Sequence, residues 1–219
     1  MANRGDRGGA KTRAHIAAVA TELFLNRGFD DVTIAEVAAA AGVSKVTVFS
    51  HFERKEDLLL DRLPEVFDTV RVAISERADE LGAVEALRRG ALAIVEQRHP
   101  LSGLGEGVEP FLRTLMNSPA LIARLHEFER EIEAELASYL RADARFSGDA
   151  ALTAALLVAA YRTAAVEMIG YRLAGGDLTK IAAKHSLRLN EAFDAVAYGV
   201  FAAPGDRRKS CRLNANDCS

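Results

Sequence analysis

Apolar residues recur every three or four positions through most of the chain, a spacing that places them along one face of an α-helix. The first such segment, residues 12–27, stops at Gly28, a residue suited to ending a helix. No alternating strand pattern occurs in the sequence, so the predicted fold class is all-α. Stretches rich in glycine, proline and serine separate the later predicted helices, which cover residues 83–98, 108–117, 120–144, 149–174 and 177–203.

A further helix is predicted from Glu53, but Pro64 falls inside it. Proline lacks the backbone N–H of a helix, and its ring clashes with the carbonyl of Leu60. The sequence therefore predicts a kink or break near residues 60–63, and a hinge between the N-terminal part and the rest.

Two short helices joined by a tight turn are predicted between residues 33 and 55. Thr33 is a good N-cap for the first helix, and Gly42 can adopt the left-handed conformation of the turn. Val48 and Phe52, four residues apart, pack the second helix inward. Such a pair, with a polar face outward, has the shape that enters a DNA major groove. The residues predicted to face outward are Lys45, Thr47, Ser50 and His51.

At these residues the chain resembles the TetR family of bacterial transcriptional repressors. The likeness is strongest over residues 29–59, with Gly42-Val43-Ser44 at the turn and Thr47-Val48-Phe49-Ser50-His51-Phe52 on the second helix. The resemblance implies an N-terminal, three-helix helix-turn-helix DNA-binding domain followed by a helical ligand-binding and dimerisation domain.

Four segments are predicted on this basis. Residues 1–10 are expected to be a flexible basic arm, and residues 11–55 the DNA-binding domain. Residues 56–203 are expected to be the ligand-binding and dimerisation domain. Residues 204–219 are a polar tail with no expected fixed structure, and its cysteines, Cys211 and Cys218, are expected to be reduced thiols.

The resemblance also implies the DNA contacts. Residues at positions that usually touch phosphates are Thr33, Phe49 and Lys55. Residues at positions that approach base edges are Ser44, Lys45, Val46, Thr47, Ser50 and His51. Lys45 can donate to guanine or to a phosphate, and Val46 can contact a thymine methyl. Phe49 departs from the family pattern, which more often has a tyrosine whose hydroxyl reaches the backbone, so one phosphate bond is expected to be missing.

The charges are unevenly distributed along the chain, whose net charge is −3. Residues 1–55 carry eight lysines and arginines against six acidic residues, whereas residues 56–205 carry sixteen against twenty-three. Because DNA affinity begins with phosphate neutralisation, this asymmetry fits DNA binding by the N-terminal part. Basic residues predicted to reach phosphates are Arg4, Arg7, Lys11, Arg13, Lys45, Arg54 and Lys55. No apolar run of a secretory signal follows them, so a cytoplasmic location without a membrane partner is expected.

The helix predicted from residue 149 has two apolar stripes, which is more than one neighbouring helix can cover. We therefore predict a homodimer in which two C-terminal helices of each subunit form a four-helix interface. A purely intramolecular core is the alternative. The predicted interface residues are Leu156, Ala159, Val166, Gly170, Leu189, Phe193, Val196 and Val200.

Large, adaptable side chains on helices expected to converge predict a pocket for a small, largely apolar effector. Within an otherwise apolar helix, Arg162 and Glu167 are charges that would need partners, either in the protein or in a ligand. For each aromatic residue, simple core packing is the alternative. The predicted ligand-binding residues are Phe67, Phe111, Met116, Phe128, Tyr161, Arg162, Glu167 and Met168.

Candidates for catalysis are few, and the His126-Glu127 pair lacks the spacing of a zinc motif. We therefore expect no catalytic residue, no metal and no cofactor. The predicted function is a homodimeric, sequence-specific transcriptional regulator that binds a palindromic operator in double-stranded DNA. It is predicted to be a repressor that a small effector releases. The alternatives are a ligand-independent or architectural DNA-binding protein, and a small-molecule-binding module or enzyme with a vestigial DNA-binding head.

Overall fold

The computed structural model describes residues 4–199 of the chain. Within this range the chain is helical and contains no strand, so the predicted all-α fold class is confirmed. The helices are α1 Arg4–Arg27, α2 Ile34–Ala40, α3 Lys45–His51, α4 Glu56–Leu59, α5 Glu65–Ser75, α6 Ala83–Glu96, α7 Glu109–Asn117, α8 Pro119–Ala142, α9 Ala150–Leu173 and α10 Leu178–Tyr198. A 3₁₀ turn, Pro100–Ser102, lies between α6 and α7.

Local side-chain chemistry sets the ends of several helices. The carboxylate of Asp149 accepts a hydrogen bond from the Leu152 N–H at 3.0 Å and caps α9. Asp177 caps α10 in the same way, since it accepts from the Lys180 N–H at 2.9 Å. The predicted break before Pro64 is confirmed, because α4 ends at Leu59 and α5 begins at Glu65.

The N-terminal helix is longer than predicted. α1 begins at Arg4, so residues 4–10 are helical and the prediction of a flexible arm is wrong for them. The hydroxyl of Thr12 donates to the carbonyl of Gly8 at 3.0 Å, within the helix. A Cβ placed on Gly9 would lie 4.0 Å from Cε1 of His51, so this part of α1 passes close to α3. This proximity to α3 supports the first turns of α1 at Gly9, a residue of low helix propensity.

The chain divides into two compact units. The first contains residues up to 66 together with residues 106–129, and the second contains residues 67–105 and those from 130 onward. This division differs from the predicted boundary after residue 55, because α7 and the beginning of α8 belong with the first unit. The functional division into a DNA-binding part and a ligand-binding part stays a prediction.

Each unit has its own apolar core. In the first unit, residues of α1 pack against the turn helices and against α7 and the beginning of α8. Its largest fully or nearly fully buried side chains include Ile16, Phe24, Phe29, Val32, Val37, Val48, Phe52, Leu58, Leu115 and Leu121. In the second unit, α10 packs on both α6 and α9. Its core includes Ile74, Leu87, Val95, Leu104, Leu136, Leu140, Leu157, Met168, Ile181, Leu189 and Phe193.

A buried ion pair joins two segments of the second unit that are far apart in sequence. The guanidinium of Arg77 binds the carboxylate of Asp143 and donates to the carbonyls of Ile74 at 2.5 Å and Leu81 at 2.8 Å. Arg145 donates to the other oxygen of Asp143 at 3.2 Å. Burial alone would raise the pKa of Asp143, but the hydrogen bonds from Arg77 and Arg145 lower it below the ordinary value.

We predict that Asp143→Asn lowers the free energy of unfolding by about 3 kcal/mol at pH 7, because it leaves the Arg77 charge buried without its carboxylate. A carboxyl whose folded-state pKa is depressed stabilises the fold above its ordinary pKa of 3.8 and loses this effect as the pH falls through the folded-state value. The difference in the free energy of unfolding between wild type and Asp143→Asn should therefore become smaller in acid. Urea unfolding at several pH values measures this difference.

The control is Asp68→Asn, which removes the exposed partner of Arg71, 3.1 Å away. An exposed pair of this kind contributes about 0–1 kcal/mol. Equal losses for the two variants would contradict a structural role for the buried pair.

Candidate nucleic-acid interface

A reciprocal set of hydrogen bonds starts α2. The hydroxyl of Thr33 accepts from the Glu36 N–H at 3.3 Å, and the Glu36 carboxylate accepts from the Thr33 N–H at 2.8 Å. Arg27 lies 2.7 Å from the second oxygen of Glu36. The backbone bond from Thr33, followed by that from Arg27, lowers the pKa of Glu36 to about 2. The capping box therefore remains intact until strongly acidic pH.

The turn between α2 and α3 has the predicted geometry. Gly42 has φ of 66°, in the left-handed region that favours glycine, and the Val43 N–H donates to the carbonyl of Ala38 at 2.9 Å. The hydroxyl of Ser44 then accepts from the Thr47 N–H at 3.0 Å and caps α3. Val48 is fully buried, which fixes the inner face of α3.

Two side chains of α1 contact the C-terminal ends of the motif helices. Arg13 donates to the backbone carbonyl of His51, and its guanidinium lies 4.1 Å from the centre of the Phe52 ring and 2.6 Å from Asp61. Nε2 of His15 lies 3.2 Å from the carbonyl oxygen of Ala41. The sequence predicts a phosphate contact for Arg13, but in the structure Arg13 supports α3. No short-range pattern indicates this role, since Arg13 and His51 are 38 positions apart.

The outer face of α3 carries both polar and apolar residues. Val46 is 78% exposed and Phe49 is 54% exposed. Lys45 and Ser50 are also exposed, whereas Thr47 and His51, which were predicted to face outward, are only partly so. Of the predicted DNA-binding residues, those with exposed side chains are Thr33, Ser44, Lys45, Val46, Phe49 and Ser50. The predicted DNA contacts themselves stay predictions.

Two of the cations that follow α3 are already engaged within the first unit. The ammonium of Lys55 lies 4.4 Å from the centre of the Phe29 ring, a cation–π distance. Arg54 forms an ion pair with Glu127 of α8 at 2.5 Å. The sequence predicts that Arg54 is available to phosphates, and no local pattern indicates its partner, which is 73 positions away.

Further polar contacts join α8 to the motif side of the first unit. Arg124 lies 2.9 Å from Asp57 of α4, and the hydroxyl of Ser118, which ends α7 just before α8, donates to Asp30 at 3.3 Å. The beginning of α8 is therefore held within the first unit by charge as well as by the apolar side chain of Leu121.

The predicted ligand-binding residues belong to different units. Phe111, Met116 and Phe128 lie in the first, and the others in the second. Phe128 is buried, whereas Met116 is exposed. In the second unit, Met168 is buried in the core, and burial raises the pKa of the Tyr161 hydroxyl. The assembly of these residues into one pocket stays a prediction.

One premise of the ligand prediction is wrong. The sequence predicts Arg162 and Glu167 to be charges within a buried apolar helix, but both are exposed on α9. Glu167 lies 3.2 Å from Arg188 and accepts a hydrogen bond from the Tyr171 hydroxyl, also at 3.2 Å. Neither charge therefore needs a ligand to offset burial.

The buried polar groups of the second unit include Arg172 and His185, and no sequence motif indicates either of them. Arg172, on the last turn of α9, donates to the carbonyl of Gly105 at 2.8 Å. His185 is buried on α10, where burial lowers its pKa despite the opposing effect of a backbone hydrogen bond with Ala164. Its ring is therefore neutral at pH 7.

The predicted dimer residues fall into two groups. Leu156, Val166 and Gly170 are exposed on α9, and Ala159 is partly exposed. Leu189 and Phe193 are buried in the core of their own chain, so their assignment to an interface is wrong. Val196 packs against the same core while remaining partly exposed, and Val200 lies outside the described residues.

The described part of the chain is thus an all-helical protein with a helix-turn-helix motif whose second helix is exposed on one face. Residues 16–61 match the sequence profile of the bacterial regulatory proteins of the tetR family. Residues 16–61 therefore carry the helix-turn-helix segment that is characteristic of this family. The chain is 33% identical over 100 residues to the HTH-type transcriptional regulator TtgR of Pseudomonas putida, an alignment that covers 44% of this chain and 47% of TtgR. The chain thus spans about half the length of the curated relatives it matches.

Solved structures show the same fold over most of the chain. The Thermus thermophilus repressor FadR in complex with lauroyl-CoA has a TM-score of 0.55 and 25% identity, covering 88% of this chain and 97% of FadR. The complex of SmeT with triclosan has a TM-score of 0.57 and 18% identity, covering 89% of this chain and 96% of SmeT.

Of the helices described, α9 alone is long and apolar enough to cross a membrane. This is weak support for a membrane span, because the core helices of soluble proteins have the same length and composition. Ala154, Leu157 and Ala164 of α9 pack into the core of the second unit.

Proposed function

We propose that this protein is a homodimeric transcriptional regulator that binds a palindromic operator through α3 and represses transcription until a small, largely apolar effector releases it. The observation that carries the proposal is the outer face of α3. Its exposed side chains lie on one side of a seven-residue helix that follows a tight turn and is fixed on its other side by the buried Val48. A helix of this kind fits the width of the DNA major groove.

The chemistry of this face supports DNA as the partner. Lys45, the first residue of α3, is exposed, and the helix contains no acidic side chain. Ser50 and Val46 share its outer face and offer one polar and one apolar contact to base edges. The residues of the family match, 16–61, include the whole motif and the part of α1 that follows Arg13 and His15.

Selection from random DNA duplexes tests DNA recognition. We expect a palindromic sequence whose half-sites lie about one helical turn, ~34–36 Å, apart. Lys45→Ala should weaken binding to it by about 1–3 kcal/mol, or relax the preference at one or two positions. The control is Lys180→Ala, which removes an exposed lysine of α10 and should leave the affinity unchanged. Failure to enrich any sequence would contradict specific DNA binding.

An exposed apolar stripe of α9, here called the seam, supports a homodimer; it contains Leu152, Leu156, Val166 and Gly170. Leu152 and Val166 are each 56% exposed and Leu156 is 44% exposed, although a single chain leaves such side chains in water at a cost. Gly170 is exposed on the same seam, and a Cβ atom placed on it would have no heavy atom within 4 Å. A second helix can therefore approach closely at this position. Because a two-fold axis brings the same surface together from both chains, one seam covers the other.

We predict that Leu156→Glu combined with Val166→Glu gives a folded monomer, because charges on this face cannot be buried against a second copy. Sedimentation velocity measures the change in mass. The control is Val72→Glu, which places the same charge at an exposed apolar position of α5 and should leave the dimer intact. A dimer that survives the double substitution would place the interface elsewhere.

A structural relative supports regulation by an effector. FadR, 25% identical to this chain, was solved with lauroyl-CoA, a molecule with a long apolar chain. A ligand releases a repressor when it binds the DNA-free conformation more tightly than the DNA-bound one. The usual coupling between two such sites is about 1–3 kcal/mol, a change of roughly 5- to 150-fold in affinity.

Thermal-shift screening with lauroyl-CoA and a panel of apolar small molecules, followed by operator titration, tests this part of the proposal. At least one compound that raises the melting temperature should lower operator affinity within that range. If every stabilising compound leaves operator affinity unchanged, the ligand-independent regulator becomes the better description. The selected operator duplex serves as the probe throughout.

A further inference from the structure

Two ion pairs join the segment around the start of α4 to α8. Arg54, three residues after the end of α3, lies 2.5 Å from Oε2 of Glu127. Asp57, in the first turn of α4, lies 2.9 Å from Nε of Arg124. All four residues belong to the first unit. Each side of this contact therefore supplies one arginine and one carboxylate.

The position of the Glu127 carboxylate is fixed by charge and by packing. Nη1 of Arg124, one turn earlier on α8, lies 3.8 Å from the same carboxylate oxygen that Arg54 contacts. Leu121 and Phe128 of α8 are buried, which sets the rotation of this part of the helix. Glu127 is itself exposed, and α8 directs its carboxylate toward Arg54.

A carboxylate and a DNA phosphate are alternative partners for one guanidinium. Each is an oxyanion that accepts charge-assisted hydrogen bonds from the N–H groups of arginine. Under the proposed function, phosphates flank the groove that α3 enters, and Arg54 follows α3 closely. A phosphate that binds Arg54 must displace the carboxylate of Glu127, whose negative charge then remains nearby. Displacement and repulsion both reduce what Arg54 contributes to DNA binding.

From this geometry we propose that Glu127 is an autoinhibitory residue, which competes with DNA phosphates for Arg54 and lowers the affinity of the protein for DNA of any sequence. Glu127 lies on α8, outside the residues that match the family profile. One exposed ion pair is weak, but a homodimer contains it twice. The inference rests on the proposed function, because it requires that a dimer binds DNA through α3.

Glu127→Gln tests the competition, because it removes the charge and nearly keeps the size of the side chain. The dissociation constant for the selected operator should fall by about threefold for each subunit, or roughly tenfold for the dimer, within the range of exposed ion pairs. A random duplex of the same length should gain similarly, since phosphate contacts carry no sequence information. The slope of log K against log salt should steepen by up to about 0.9 for each subunit, because Arg54 then neutralises a phosphate.

Removal of Arg54 in two backgrounds separates competition from simple repulsion. In wild type, Arg54→Gln should change the dissociation constant by less than about twofold, because Glu127 already occupies the guanidinium. In the Glu127→Gln background, Arg54→Gln should abolish the gain of roughly tenfold. Repulsion alone predicts a different pattern, in which Arg54→Gln has the same effect in both backgrounds.

The control is Glu131→Gln, which makes the same change of charge one turn further along α8. It should change operator affinity by less than about twofold and leave the effect of Arg54→Gln as in wild type. Arg54, Glu127 and Glu131 are all exposed, so these substitutions do not disturb a core. Circular dichroism verifies the folding of each variant.

The outcomes separate this inference from the proposed function. If Glu127→Gln leaves operator affinity unchanged, the competition is refuted while DNA recognition stands. The same holds if Arg54→Gln weakens wild type as much as it weakens the Glu127→Gln variant, because Arg54 then reaches DNA with Glu127 in place. If no sequence is selected and no duplex binds, the proposed function fails, and this inference fails with it.

Discussion

The exposed face of α3 depends on the contact between α1 and the C-terminal end of α3. A helix of seven residues is too short to be stable alone, and its last carbonyls have no partner within it. Arg13 provides a donor to the carbonyl of His51, while its guanidinium lies over Phe52 and pairs with Asp61. A positive charge at this end also complements the helix dipole. Together with the burial of Val48, this contact fixes which residues point outward.

The two motif helices are thereby supported from the same element. His15, two residues after Arg13 on α1, approaches the carbonyl of Ala41 at the end of α2. The turn at Gly42 is closed by backbone bonds, such as that from the Val43 N–H to the carbonyl of Ala38. Residues of α1 also fill the centre of the first core. The packing of α1 therefore determines the orientation of α3.

The features that sequence predicted well are those set by neighbours in the chain. The capping box at Thr33, the left-handed Gly42 and the break before Pro64 each depend on residues within a few positions. The pairs Arg54–Glu127 and Arg77–Asp143 join residues more than sixty positions apart, and no local pattern encodes them. The spacing of apolar residues likewise predicts which faces of α9 and α10 are apolar. It does not show whether each face packs within the chain or remains exposed. Leu189 and Phe193 consequently belong to the chain's own core, whereas Val166 is exposed.

The ion pairs of the first unit also limit how much of the DNA contact can come from charge. Arg13 is engaged by a carboxylate, a ring and a carbonyl, so exchanging these for a phosphate would disturb α3. Arg54 and Glu127 are about half exposed, and an exposed pair of this kind contributes only ~0–1 kcal/mol, so a phosphate can replace the carboxylate at little cost. Glu127 would then remain near the phosphates and repel them. Under the proposed function, the engagement of Arg13 leaves one cation fewer for phosphates than the sequence suggests, so contacts to the base edges would supply a larger share of the DNA affinity.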